Sequence, residues 1–139
     1  MISKILIFAE VPVPDILNQI KIESPATHGN RTMAYFGHTS YRYDPIKHDP
    51  QPYPDCPVFN SIFEKMPSIT PDFTKENYTC LATHYPDEQS SIKPHSDDEA
   101  QIHPNSSIFT ISIGSKRTAV FQNQQGVINE NHIELTLSV

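Results

Sequence analysis

No apolar run in this 139-residue chain approaches the ~20 residues of a membrane span, so no membrane segment is expected. The opening "MISKILIFAEV" lacks the length and the small-residue cleavage site of a signal peptide, and a soluble, cytoplasmic setting follows as the expectation. Cysteine is scarce. Cys56 and Cys80 are the two thiols present, and without a secretion signal they are expected to be reduced and partly buried. There is no run of Lys and Arg, and 10 basic residues stand against 16 acidic ones for a net charge of −6. The broad positive footprint of a nucleic-acid binder is therefore missing, and any contact with nucleic acid must be local. No internal repeat is present.

What the chain does have is proline, 13 of them, with a hydrophobic fraction of 37% and a charged fraction of 19%. That composition suits a loop-rich globular domain better than a helical bundle. The length is enough for one domain with a core and too short for two.

Residues 2–9, "ISKILIFA", form an apolar β-type run. Residues 10–30 read as a connection with at most a short helix around Ile16 to Ile20. "RTMAYFG" (31–37) is a second strand, ended by Gly37. The next segment, "YRYDPIKHDPQPYPDCP" (41–57), carries five prolines and is expected to be irregular surface, sustaining neither ladder nor helix. A helix is expected from Asp55 as cap, with Pro57 in its first turn and Val58, Phe59, Ile62, Phe63 and Met66 on one stripe, until Pro67 stops it. The period then changes to two. "NYTCLATHY" (77–85), "SIFTISIG" (107–114), "RTAVFQ" (117–122) and "HIELTLSV" (132–139) read as strands, with "GSK" as a hairpin signal between the middle two. Phe109, Ile111 and Ile113 share one face, as do Ile133, Leu135, Leu137 and Val139. The expected fold is mainly β, an antiparallel sandwich or jelly roll with N-terminal α/β additions. Its final strand ends at Val139 without a following partner, as though the chain were cut short.

The residues with chemistry lie in "IKPHSDDEAQ" (92–101). In an extended stretch His95 and Asp97 point the same way and can present an imidazole nitrogen and a carboxylate oxygen to one point. Such a pair belongs to the facial triad of two histidines and one carboxylate that holds Fe(II) with open positions. The alternative is a solvated acidic turn containing a histidine. The pair follows one strand and precedes another, which would set it at the rim of a small sheet sandwich, where barrel-mouth sites occur.

"NYTCLATHY", then "HSDDE", then "SIFTISIGSKRTAVF" together resemble the AlkB-like branch of the Fe(II)/2-oxoglutarate dioxygenases, and "RTMAYFG" with "YRYDPIKHDPQPYPDCP" is similar to that family's substrate lid. The likeness covers residues 31–139 and is nearest to AlkB domains in replicase polyproteins of plant-infecting RNA viruses. It implies a single domain over residues 1–139, with a nucleotide-recognition lid at 31–57 and a double-stranded β-helix core at 77–139 that lacks its last strands. It makes His95 and Asp97 iron ligands and matches Tyr85 to the tyrosine that hydrogen-bonds 2-oxoglutarate. Thr83 stands where the family often has asparagine, and its hydroxyl offers one donor where an amide offers more. Asp98 and Glu99 match acids that approach the modified base, Tyr41 and Tyr43 match lid aromatics that stack on it, and Arg117 matches a hairpin position read as local or substrate-facing.

The implied activity is oxidative demethylation of N-methylated bases in single-stranded RNA, with DNA as the alternative nucleic acid, using Fe(II) and 2-oxoglutarate. The family's second histidine ligand and its carboxylate-binding arginine are expected beyond Val139, so this piece is expected to turn over poorly or not at all. His103 and His132 are the other histidines weighed as ligands. Two rival readings stand beside it: a non-catalytic RNA-binding module of a polyprotein, and a 2-oxoglutarate hydroxylase of protein or a small molecule.

Overall fold

The computed structural model describes residues 3–6, 16–26, 28–43, 46–113, 121–122 and 128–129. In chain order the elements are β1 (Ser3–Leu6), α1 (Ile16–Gln19), β2 (Ser24–Pro25), β3 (Thr32–Phe36), β4 (Tyr41–Tyr43), β5 (Ile46–His48), α2 (Pro57–Ile69), β6 (Cys80–His84), β7 (Ile108–Ile111), β8 (Phe121–Gln122) and β9 (Ile128–Asn129). Among the described residues the chain is mostly β, with short strands and few helices. It divides into two compact units, Asp15–Lys93 on one side and Met1–Pro14 with Pro94–Val139 on the other.

The Asp15–Lys93 unit is built on a three-stranded antiparallel sheet in the order β2-β3-β6. Its central strand pairs Met33 with Thr83, Tyr35 with Leu81 and Phe36 with Cys80. Met33, Ala34, Tyr35 and Phe36 are consecutive and all buried, so β3 is covered on both faces. Gly37 ends the strand as expected. Its φ is +144°, and a Cβ there would meet Thr79 Cγ2 at 2.7 Å, so any side chain would force the two segments apart.

Over one part of this unit lies an aromatic cluster. Phe36 meets Phe59 edge-on at 5.2 Å between ring centroids, Tyr53 meets Phe63 edge-on at 4.9 Å, and Phe59 stacks on Phe63 at 5.6 Å. The chain of rings continues through Phe73 to Tyr78. Each such ring removes a large apolar area from water, and the offset and edge-on geometries add about 0.5–1.5 kcal/mol per pair. The Tyr53 hydroxyl donates to the Tyr78 carbonyl at 2.8 Å, which lets a phenol enter the cluster without leaving its polar end unsatisfied. Cys56 and Cys80 are both free thiols. Burial pushes Cys80 up to about 12 and also raises Tyr53, whose hydroxyl is further held neutral by the proximity of Cys80 and Tyr35.

The stripe on α2 buries Val58, Phe59 and Met66 as its spacing demands. Its ends differ from the expectation. The cap residue is Cys56, with no side-chain cap bond; the Asp55 carboxylate instead accepts from the Asn60 amide at 2.9 Å. Pro67 lies inside the helix, which runs on to Ile69. A proline this close to the end costs the bond its missing N–H would have made, and the last turn still closes through Thr70 N–H donating to Met66 carbonyl at 2.9 Å.

The proline-rich segment also departs from expectation. It forms a β4–β5 hairpin pairing Tyr41 with His48, Arg42 with Lys47 and Tyr43 with Ile46. The ladder is possible because neither three-residue strand contains a proline, and Pro50 lies beyond β5. Gln51 then bridges back to Phe36, with Gln51 N–H donating to Tyr35 carbonyl at 2.9 Å and Gly37 N–H to Gln51 carbonyl at 3.0 Å.

In the other unit β1 pairs with β7, Ser3 opposite Ile108 through Leu6 opposite Ile111. The pairing is parallel, where a wholly antiparallel arrangement was expected. β8 and β9 form a short antiparallel pair. The expected "GSK" hairpin and the strand at 132–139 lie outside the described residues, as do Arg117 and His132.

Candidate metal centre

Residues 95–99 lead into β7 without belonging to a strand, so the extended stretch expected around His95 is a loop. Turns downstream fix that loop: Ile102 N–H donates to Glu99 carbonyl at 2.9 Å, and Ser106 donates to His103 carbonyl through both its N–H (2.9 Å) and its hydroxyl (2.8 Å). His103 Nδ1 accepts from Asn105 N–H at 3.3 Å, which gives this histidine a local role in shaping the turn.

His95 and Asp97 converge. Nε2 of the imidazole lies 3.2 Å from Oδ1 of the carboxylate, and the side chains are 38% and 41% exposed, open enough to accept a ligand from solvent. The separation matters. Metal bonds of about 2.1 Å to nitrogen and oxygen put two adjacent ligands of an octahedral ion about 3.0 Å apart. The donor set, one imidazole nitrogen and one carboxylate oxygen, is also that of an Fe(II) site with open positions. On geometry and donor chemistry the pair therefore fits two cis positions of a ferrous ion. Among the described residues no group of three or more His, Cys, Asp and Glu side chains is gathered as for a metal.

The two neighbouring acids differ. Asp98 is exposed, whereas Glu99 is half-buried and its Oε2 is shielded from water without a hydrogen-bond partner. A carboxylate oxygen left in that state is costly unless something approaches it.

The remaining candidates belong to the Asp15–Lys93 unit. Thr83 is in β6 opposite Met33, and Tyr85 follows the strand by one residue; both are half-buried. The loop after Tyr85 is fastened by Asp87. One oxygen of its carboxylate accepts from Gln89 N–H (3.0 Å), Ser90 N–H (2.8 Å) and the Ser90 hydroxyl (2.7 Å), and the other accepts from Asn30 at 2.9 Å. Gly29 completes that junction. Its φ is +78°, its carbonyl accepts from Ser91 N–H at 2.9 Å, and a Cβ would collide with the Ser91 carbonyl oxygen. Tyr41 and Tyr43 are the first and last residues of β4.

One feature escaped the reading of the sequence. A cleft of about 290 Å³ is lined by Ser24, Tyr35, Lys47, His48 and Gln51, among others. It is assembled from three separated stretches, and Lys47 and His48 lie in a segment expected to be too rich in proline to form a strand.

A family model of the 2OG-Fe(II) oxygenase superfamily matches residues 9–138, nearly the whole chain. The chain belongs to that superfamily, whose members use Fe(II) and 2-oxoglutarate. No curated protein and no solved structure matches it. No helix among the described residues is long and apolar enough to cross a membrane.

Proposed function

We propose that this oxygenase removes methyl groups from N-methylated bases of single-stranded nucleic acid, RNA in the first instance. The observation that carries the reading is the 3.2 Å convergence of His95 and Asp97 in a chain of this superfamily. In this reading His95 and Asp97 hold Fe(II), Tyr85 and Thr83 hydrogen-bond 2-oxoglutarate, and Tyr41, Tyr43, Asp98, Glu99 and Arg117 address the base. Fe(II) held there would supply, with 2-oxoglutarate and dioxygen, the oxidising chemistry, the cosubstrate ending as succinate and carbon dioxide and the N-methyl carbon as formaldehyde. The protein's part is placement. A base inside a duplex is out of reach, so a single strand or a flipped nucleotide is the substrate. Tyr41 and Tyr43 are the aromatic residues offered for stacking on an unstacked base, and Glu99, with no partner at Oε2, is the carboxylate offered as an acceptor for an amine.

The AlkB-like assignment, the single jelly-roll domain over residues 1–139, the lid at 31–57 and a place in a viral replicase acting in the host cytoplasm belong to the same proposal. They are supported by the residue patterns in "HSDDE" and "SIFTISIGSKR". The test is release of succinate and formaldehyde in equal amounts from a methylated single-stranded RNA oligonucleotide with Fe(II) and 2-oxoglutarate. His95→Ala is expected to abolish both products. Succinate formed without formaldehyde on any methylated oligonucleotide would sink demethylation while leaving an oxygenase.

A further inference from the structure

We infer that Asp87 is a positioning residue for Tyr85, its carboxylate fixing the tyrosine where 2-oxoglutarate is bound; the inference rests on the role given to Tyr85 above. Two ties bracket that tyrosine. On one side is the last rung of the β3–β6 ladder, Thr32 opposite His84. On the other, the Asn30 side-chain amide donates to Asp87 Oδ2 at 2.9 Å. Both ties join the same two stretches of chain, with Arg31 on one and Tyr85 and Pro86 on the other enclosed between rung and clasp.

The clasp reaches Tyr85 through few soft torsions. Pro86 separates Tyr85 from Asp87, and its ring fixes one of the backbone angles between them. A proline also disfavours helical backbone at the residue before it, which narrows the choices of Tyr85 itself. A displacement of Asp87 is therefore passed on to the tyrosine instead of being absorbed. Asp87 is in turn held by Ser90, whose N–H and hydroxyl donate to Oδ1 at 2.8 and 2.7 Å and whose hydroxyl accepts from Asp87 N–H at 3.3 Å. Ser90 is 1% exposed, so water has little access to replace these bonds.

The facing stretch is fixed as well. Asn30 has φ +50°, a left-handed conformation that asparagine and aspartate adopt more readily than other side chains. Arg31, 5% exposed, donates from Nε to the His28 carbonyl at 3.2 Å, and its own carbonyl accepts from Ala26 N–H at 2.9 Å. The bonds from Gln89 and Ser90 to the carboxylate turn the loop locally. Asn30 is 57 residues away in sequence and has no part in that turn; its bond sets the loop against β3. A hydroxyl that must meet a small dianion needs such setting, because a misplacement of about 1 Å can cost roughly a hundredfold in rate.

The experiment is anaerobic titration of the full chain, saturated with Fe(II), with 2-oxoglutarate, and separately of the metal-free chain with Fe(II). Asp87→Ala is expected to weaken 2-oxoglutarate binding about tenfold, the low end of the cost of removing a ligand's outer support, while Fe(II) affinity stays within about twofold. A carboxylate that served only the stability of the fold would lower both affinities together or neither, and either result would overturn the inference. The exchanged pair Asn30→Asp, Asp87→Asn rebuilds the clasp with its charge on the other stretch and is expected to restore binding to within about threefold. Where Asp87→Ala does not fold, Ser90→Ala is read in its place, with an expected loss of about threefold for the missing hydroxyl. Tyr85→Phe separates the two claims. If it weakens 2-oxoglutarate binding and Asp87→Ala does not, the inference falls and the reading of Tyr85 stands. If Tyr85→Phe binds 2-oxoglutarate as tightly as the unsubstituted protein, or the unsubstituted protein binds none, that reading falls and takes the inference with it.

Discussion

The two units of the molecule are held by different physics. Between Asp15 and Lys93 the chain is tied by buried rings, a three-stranded sheet and a carboxylate hub at Asp87. From Pro94 to Ile113 the described chain is mostly a partly exposed loop shaped by turns three residues long, followed by one short parallel strand. The first kind of structure resists change because each ring is packed against several others. The second tolerates it, and the pair with metal-binding geometry, His95 and Asp97, lies there. The ring cluster and the His95–Asp97 pair thus lie on separate stretches of sequence, which makes their effects separable by mutation.

The largest effect that would break this comparison is in the ring cluster. Phe59→Ala, which removes the ring meeting Phe36, Tyr53 and Phe63, is expected to cost about 3–5 kcal/mol in denaturant unfolding. A cost under about 1 kcal/mol would mean that the cluster does not carry the unit's stability.

A smaller effect sharpens the comparison through pH. Cys80, ordinarily near 9.0, is pushed up to about 12 by burial. A thiol whose folded value is raised stabilises fully below the unfolded value, and that contribution is lost as pH rises toward the folded value. Between roughly pH 9 and 12 the unfolded chain has released a proton that the folded chain keeps, so stability falls by up to about 1.4 kcal/mol per pH unit. Tyr53 is raised for the same reason and adds to the loss at the alkaline end. Cys80→Ala is expected to flatten the slope between pH 9 and 10, measured by urea midpoints at each pH. An equal slope in the variant would show that the thiol is solvated.

How much of this was legible in the sequence follows the range of the interactions. The stripe on α2, β3 with its glycine stop, and β6 are local patterns, and the structure forms them. Pro67 was read as a stop because one forfeited hydrogen bond was weighed as if it ended the helix, whereas the stripe already buried by Met66 carries the last turn. The β4–β5 hairpin was missed because the proline count of 41–57 hid two three-residue windows free of proline. The parallel register of β1 with β7 joins residues about a hundred positions apart, and no alternation within either strand reveals its partner's direction. At the candidate site, the spacing of His95 and Asp97 was visible at once, while their approach to 3.2 Å comes from a loop geometry, not from the strand alternation first invoked.

The central claim is that His95 and Asp97 act as one metal-binding unit. Its most direct measurement is a titration of the full chain with Fe(II) under anaerobic conditions, alongside Asp97→Ala, with thermal melting followed on both proteins. The account predicts that Asp97→Ala weakens Fe(II) binding by more than about tenfold, since removing a ligand exceeds the usual cost of disturbing its outer supports, and that the metal-free melting temperatures coincide. Equal Fe(II) affinity in the two proteins would contradict it.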